Sequence, residues 1–96
     1  MKQALTPATD EMARRLGENF VRLRRARGLS QTELGDQTEM HRNDISLIER
    51  GRRRPRIDVL VKVAIVLGVR PADLLEGIVW IPRTRQKPGG FRVERD

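Results

Sequence analysis

Residues 29–51 read Leu29-Ser30-Gln31-Thr32-Glu33-Leu34-Gly35-Asp36-Gln37-Thr38-Glu39-Met40-His41-Arg42-Asn43-Asp44-Ile45-Ser46-Leu47-Ile48-Glu49-Arg50-Gly51. The start and stop signals describe two short helices joined by a tight turn. Ser30 caps the first, and Glu33 three residues on completes a capping box. Leu34 is its inward anchor, and the helix ends near Thr38. The second runs from about His41 to Arg50 and is stopped by Gly51. Its period hides Ile45 and Ile48 on one side and exposes Arg42, Asn43, Ser46 and Leu47 on the other. A short helix with a guanidinium and an amide on its open face has the chemistry needed to read base edges in the major groove of DNA.

Upstream, Leu16, Phe20 and Leu23 recur at i, i+4 and i+7, one buried stripe of an amphipathic helix. Its start lies at Thr6-Pro7 or at Thr9-Asp10-Glu11, since Thr caps, Pro suits a first turn and acids there complement the helix dipole. Gly28 ends it. Downstream, Arg52-Arg53-Arg54-Pro55-Arg56 is a basic loop in which Pro55 keeps residue 54 out of helical geometry. Ile57, Leu60, Val61, Ala64 and Leu67 give a fourth helix, apolar enough to be the central one, closed by Gly68. Pro71 to Leu75 forms a short fifth helix closed by Gly77. Beyond it the chain changes character. Ile78-Val79-Trp80-Ile81 and Phe91-Arg92-Val93 read as strands, with Pro88-Gly89-Gly90 as turn chemistry between them. The expectation is a β-hairpin; the alternative is an extended basic tail carrying Arg83, Arg85, Lys87, Arg92 and Arg95.

Composition narrows the partners. At 96 residues this is one domain with a short appendage. Twenty Lys and Arg face 13 Asp and Glu, a formal net charge of +7, and Lys occurs only at 2, 62 and 87. Guanidinium forks suit phosphate and guanine edges better than ammonium does. A GC-rich genome would also favour Arg over Lys, but would not produce the net positive balance. There is no Cys, so disulfides and thiolate metal sites are excluded. His41 is the single His, there is no Tyr, and no carboxylate pair marks a cleft, so neither an enzyme, a metal site nor a cofactor is expected. No apolar run approaches the roughly 20 residues that span a bilayer. The first residues lack the apolar core of a signal peptide, and the expected compartment is the cytoplasm.

The pattern Leu23-Arg24, Gly28-Leu29-Ser30-Gln31, Leu34, Ile45-Ser46, Ile48-Glu49-Arg50-Gly51, Pro55, Leu60, Val63-Ala64, Leu67-Gly68-Val69, Leu74-Leu75 resembles the phage-repressor-like helix-turn-helix family of the Cro and lambda-repressor (XRE) type. The match runs without a gap over roughly residues 14–76. His41 to Ser46 followed by Glu49-Arg50-Gly51-Arg52-Arg53 also resembles the controller proteins of restriction–modification systems. The resemblance implies an all-α, five-helix domain over residues 9–77, preceded by an arm at 1–8 and followed by the hairpin or tail at 78–96. It further implies a transcriptional regulator that binds double-stranded DNA, as a homodimer on an inverted repeat. Arg42 and Asn43 would face base edges, with Ser46 and Leu47 along the groove. Gln31, His41, Arg50, Arg52, Arg53 and Arg54 would meet the DNA backbone, and Arg24 with Glu49 would form a partly buried ion pair. An Arg or Asn bidentate to its base discriminates by about 1–3 kcal/mol. The strand Ile78 to Ile81, with Phe91, is apolar enough to cover the core with one face and a second subunit with the other. An antitoxin-like or adaptor role, with the tail engaging a protein partner, is the competing function.

Three positions depart from the family. Glu39 stands where the turn usually has Gly; a left-handed backbone there costs a non-Gly residue roughly 1–2 kcal/mol. Gly35 stands where Ala is usual, losing up to about 1 kcal/mol of helix propensity. His41 caps where Ser or Thr is usual. If Asn43 capped instead, the reading helix would start later, at Asp44 and Leu47.

Overall fold

The structure, a computed structural model, describes residues 7–94, with side chains from residue 11 onward. Five helices precede a two-stranded sheet: α1 Pro7–Arg27, α2 Gln31–Thr38, α3 Arg42–Glu49, α4 Ile57–Leu67, α5 Pro71–Leu74, β1 Ile78–Ile81 and β2 Gly90–Val93. Residues 1–6 of the expected arm, with the Thr6 cap, lie outside the described residues. Helix α1 begins at Pro7, so residues 7 and 8 belong to it rather than to an arm.

The core is aliphatic. Leu16 and Phe20 of α1, Leu34 of α2, Ile45 and Ile48 of α3, Val63, Ala64 and Leu67 of α4 and Leu74 of α5 form one buried cluster. Each of these side chains other than Ala64 contributes about 1.5–3 kcal/mol on leaving water. The buried stripe of α1 runs Ala13, Leu16, Phe20 and on to Arg24, so it takes a charged residue inside at its C-terminal end. The Ser30–Glu33 capping box is complete. Glu33 N–H donates to Ser30 Oγ at 3.0 Å, and Ser30 N–H donates to Glu33 Oε1 at 2.8 Å. The donated Ser30 N–H holds the Glu33 carboxyl below its usual range, so the cap is intact at neutral pH and is lost as pH falls below that range.

Helix α4 corrects the expectation of a fully central helix. Val63, Ala64 and Leu67 are buried, but Ile57 and Ile65 are 79% and 74% exposed and Val61 is exposed beside them. Asp58 and Lys62 mark an outward side of α4, but the apolar residues beside them do not announce that they share it. Here α2 and α5 cover one side, and a stripe at i, i+4 and i+8 faces outward.

The chain after α5 is a hairpin and not an extended tail. Strands β1 and β2 pair antiparallel in the register Ile78 with Val93, Val79 with Arg92, Trp80 with Phe91 and Ile81 with Gly90. β2 lies along α1. Asn19 of α1, buried at 2% exposure, donates from Nδ2 to the carbonyls of Leu74 (2.9 Å) and Glu76 (3.0 Å). Arg15 Nε donates to the same Glu76 carbonyl at 3.1 Å, and Glu94 N–H donates to Gly77 O at 2.7 Å. The hairpin is thus bolted to α1 through main-chain acceptors that a helix end otherwise leaves unsatisfied.

Candidate nucleic-acid interface

The turn between α2 and α3 is built from the three atypical residues. Glu39 is left-handed, with φ 59° and ψ 41°, the one non-Gly residue of positive φ among the described residues. Gly35 has a packing reason. A Cβ there would stand 2.6 Å from Met40 O, against main chain, and Met40 N–H donates back to Gly35 O at 2.8 Å. Ala, the better helix former, would push the turn off α2. His41 is the N-cap of α3: its Nδ1 accepts the Asn43 N–H at 3.0 Å. That contact rules out the later start at Asp44. It also puts the ring proton on Nε2, which leaves an outward donor at the mouth of the helix.

With its start settled, α3 presents Arg42 and Asn43 exposed on its first turn, and Ser46 and Leu47 half-buried one turn on. Ile45 and Ile48 are 0% and 1% exposed and pin the opposite face. The C-terminal end is held by a node that the sequence pattern only partly announces. Arg24 Nε donates to Glu49 Oε2 at 2.6 Å and Nη2 to Oε1 at 3.0 Å, while Nη1 reaches Leu29 O at 2.8 Å. The Glu49 side chain is 3% exposed. Gln31, expected at a phosphate, donates its Nε2 to Glu49 Oε1 at 2.8 Å. Its side chain braces α2 against α3, and what remains toward solvent is the amide end of α2, which favours an anion by itself.

The basic loop continues the surface. Arg50, Arg52, Arg53 and Arg54 are all exposed. Arg53 is not wholly uncommitted: its Nη1 meets Asp44 Oδ1 at 2.7 Å, between side chains that are both substantially exposed. An ion pair of that kind is worth about 0.2–1 kcal/mol, little enough to be exchanged for a phosphate. Between turn and loop lies a groove of about 270 Å³, lined by Met40, His41, Asp44, Arg53, Arg54 and Arg56 among others.

Two residues of this architecture escape a reading of apolar period. Gly17 lets α1 cross α3, since a Cβ there would sit 2.5 Å from Glu49 O and 2.6 Å from Ile48 O. Asn19 is the other. The sign of Gly17 was its place one turn from Ala13 and two turns from Arg24 on the buried stripe; Asn19 carries no comparable sign.

A helix-turn-helix family model, HTH_3, matches residues 21–74, the span from mid-α1 to α5 with α2 and α3 inside it. The chain belongs to the HTH_3 helix-turn-helix family. HTH_3 proteins of the XRE type are DNA-binding transcription regulators and not enzymes. One relative is an uncharacterized HTH-type transcriptional regulator, y4dJ of Sinorhizobium fredii. It is 38% identical over 65 residues, spanning 68% of this chain and 84% of that protein. The control protein C.BamHI of Bacillus amyloliquefaciens is 44% identical over 48 residues, 50% of this chain and 59% of that one. Among solved structures, the restriction–modification controller protein C.AhdI of Aeromonas hydrophila superposes with a TM-score of 0.63 at 31% identity, over 65% of this chain and 94% of that one. The narrower likeness to controller proteins read from residues 41–53 is therefore borne out. The hairpin of this HTH_3 chain lies beyond the residues that the family model matches. Among the described residues no helix is long and apolar enough to cross a membrane.

Proposed function

We propose that this regulator acts as a homodimer on an inverted-repeat operator, laying α3 in the major groove of each half-site. The His41 cap carries the reading, because it puts Arg42 and Asn43 together on the first turn of a helix whose far face is locked in the core. Arg42 forks onto guanine O6 and N7, Asn43 pairs with adenine N6 and N7, and Leu47 packs on a thymine methyl with Ser46 beside it. The His41 Nε2–H, the amide end of α2 at Gln31, and Arg50, Arg52, Arg53 and Arg54 hold the phosphates on either side. Half-sites lie about one helical turn apart, roughly 34 Å. The place of action is the cytoplasm.

For the second subunit the α4 stripe is a better surface than the hairpin. Ile57, Val61 and Ile65 have no cover in the monomer. Of the hairpin candidates, Ile78 packs on the core and Val79 is half-buried. Trp80 and Phe91 face each other edge-on at 5.1 Å, and with Ile81 they stay less exposed than Ile57 and Ile65. A second reading, an adaptor whose hairpin holds a protein partner, draws on the 55% exposure of Trp80. Deleting residues 78–96 separates the two: the adaptor loses its partner, whereas the α4-paired regulator keeps its dimer.

Selection of bound duplexes from a random pool tests the main reading. One enriched inverted repeat with half-sites about a helical turn apart is the expected result. Recovery of sequences with no shared motif would refute it.

A further inference from the structure

The loop that closes the hairpin has no role in the reading above. We propose that residues 83–89 form a seat for a backbone phosphate of the DNA flanking the stretch that α3 reads; the inference rests on the DNA-binding reading and extends it.

Charge is the first reason. Between Glu76 and Glu94 the chain has no acid, and its four bases are Arg83, Arg85, Lys87 and Arg92. The first three alternate along the loop and are exposed. Among the described residues none of the three has an ion-pair partner, whereas Arg22, Arg24, Arg53, Arg56 and Arg70 all do. Like charges so close repel, and an anion relieves that repulsion.

Shape is the second. The loop does not splay but curls around a concavity of about 300 Å³ lined by residues 83–89, room for a phosphodiester and its water. The curl is fixed from within. Thr84 N–H donates to Lys87 O at 2.9 Å and Lys87 N–H donates to Thr84 Oγ1 at 3.0 Å. At the base of the loop a Cβ on Gly89 would fall 2.6 Å from Trp80 Cζ2 and 2.9 Å from Ile81 O, so only Gly lets the loop close against the Trp80 ring. Trp80 is in turn held by Phe91. A seat already shaped does not have to be ordered when the anion arrives.

Placement is the third. The base of the hairpin is fastened to α1, where Asn19 and Arg15 donate to the Leu74 and Glu76 carbonyls, and its four-residue strands carry the loop about 13 Å outward. The same α1 holds α3 at Gly17 and at Arg24, so the loop and the reading helix ride on one rigid element. Phosphates recur along DNA on both sides of any half-site, so the flanking backbone is the polyanion that the DNA-binding reading supplies.

The test uses the full chain and two operator duplexes, one ending at the half-sites and one extended by a helical turn on each side. Affinity is measured against salt for wild type, for R83A/R85A/K87A and for the charge-keeping R83K/R85K. Wild type should bind the extended duplex with the steeper salt dependence. The triple variant should lose that excess, its slope falling by about 0.9 per protomer and about 1.8 for the dimer, so that a fourfold rise in salt costs it about 12-fold less affinity than wild type. The Lys variant should behave as wild type, and all three should melt alike, since the loop is outside the core. Equal slopes for wild type and the triple variant on the extended duplex would overturn the seat. So would a loss of the same size on both duplexes, which would mean that the charges act at long range and not on the flank. Failure of wild type to bind any duplex would instead overturn the parent reading.

Discussion

The Glu49 carboxylate is the residue on which the interface depends most, because both of its oxygens are committed. Arg24 takes both and Gln31 shares one, in a site where Glu49 is 3% exposed. Glu49→Ala leaves the Arg24 guanidinium buried with only the Leu29 carbonyl, and should destabilise the fold by about 3–5 kcal/mol in urea unfolding. Gln31→Ala removes one hydrogen bond to a charged group and should cost less, about 1.5–3 kcal/mol. The turn offers a pair of opposite sign. Gly35→Ala should destabilise although Ala is the better helix former, because its Cβ meets main chain at Met40 O. Glu39→Gly should stabilise by about 1 kcal/mol, since the left-handed backbone is released from strain. Thermal melts of the two variants moving apart from wild type is the expected outcome; a more stable Gly35→Ala would mean the turn has room that the close approach denies. At this scale the sequence was partly legible. Arg24 at the end of a buried stripe announces an ion pair. Gly35 looks like a defect until the Met40 carbonyl is seen, since no local rule reports which backbone will come near.

At the scale of elements, capping chemistry was the most legible feature. Ser30–Glu33, Gly28, Gly51 and Gly68 mark helix ends that the structure places within about a residue of their expected positions, because a cap is a local hydrogen-bonding solution. The start of α3 was not decidable from local rules, as His41 and Asn43 can both accept. Geometry chose His41. His41→Ala should lower stability by about 1 kcal/mol, while His41→Ser should hold it, since Ser restores the side-chain acceptor. If both substitutions weaken operator binding alike while only Ala lowers the melting temperature, the ring also contributes its Nε2–H to a phosphate. Equal stability of wild type and His41→Ala would show that the cap does not hold α3. The covered side of α4 was the least legible part: Asp58 and Lys62 mark an outward side, but only tertiary packing decides that the apolar Ile57, Val61 and Ile65 beside them remain exposed too.

For the whole molecule the account turns on how +7 of charge and two apolar surfaces are divided. The α4 stripe is assigned to the second subunit and the basic surfaces to DNA. Ile65, 74% exposed, contributes little to the monomer core, so Ile65→Asp should leave the melting temperature of the monomer near wild type while shifting sedimentation equilibrium from dimer to monomer. A Trp80→Ser variant should leave the dimer in place. The reverse pattern would return the interface to the hairpin. With about 6–10 phosphates neutralised, operator affinity should fall roughly 10³–10⁵-fold between 50 and 200 mM salt.

The central claim is that α3 reads bases from its first turn, and the measurement closest to it compares sequence selection by wild type, Arg42→Ala and Asn43→Ala. Each variant should still fold and still bind DNA through the backbone contacts. Each should lose preference at one position of every half-site, a guanine for Arg42→Ala and an adenine for Asn43→Ala, by about 1–3 kcal/mol. An unchanged consensus in both variants would contradict the account.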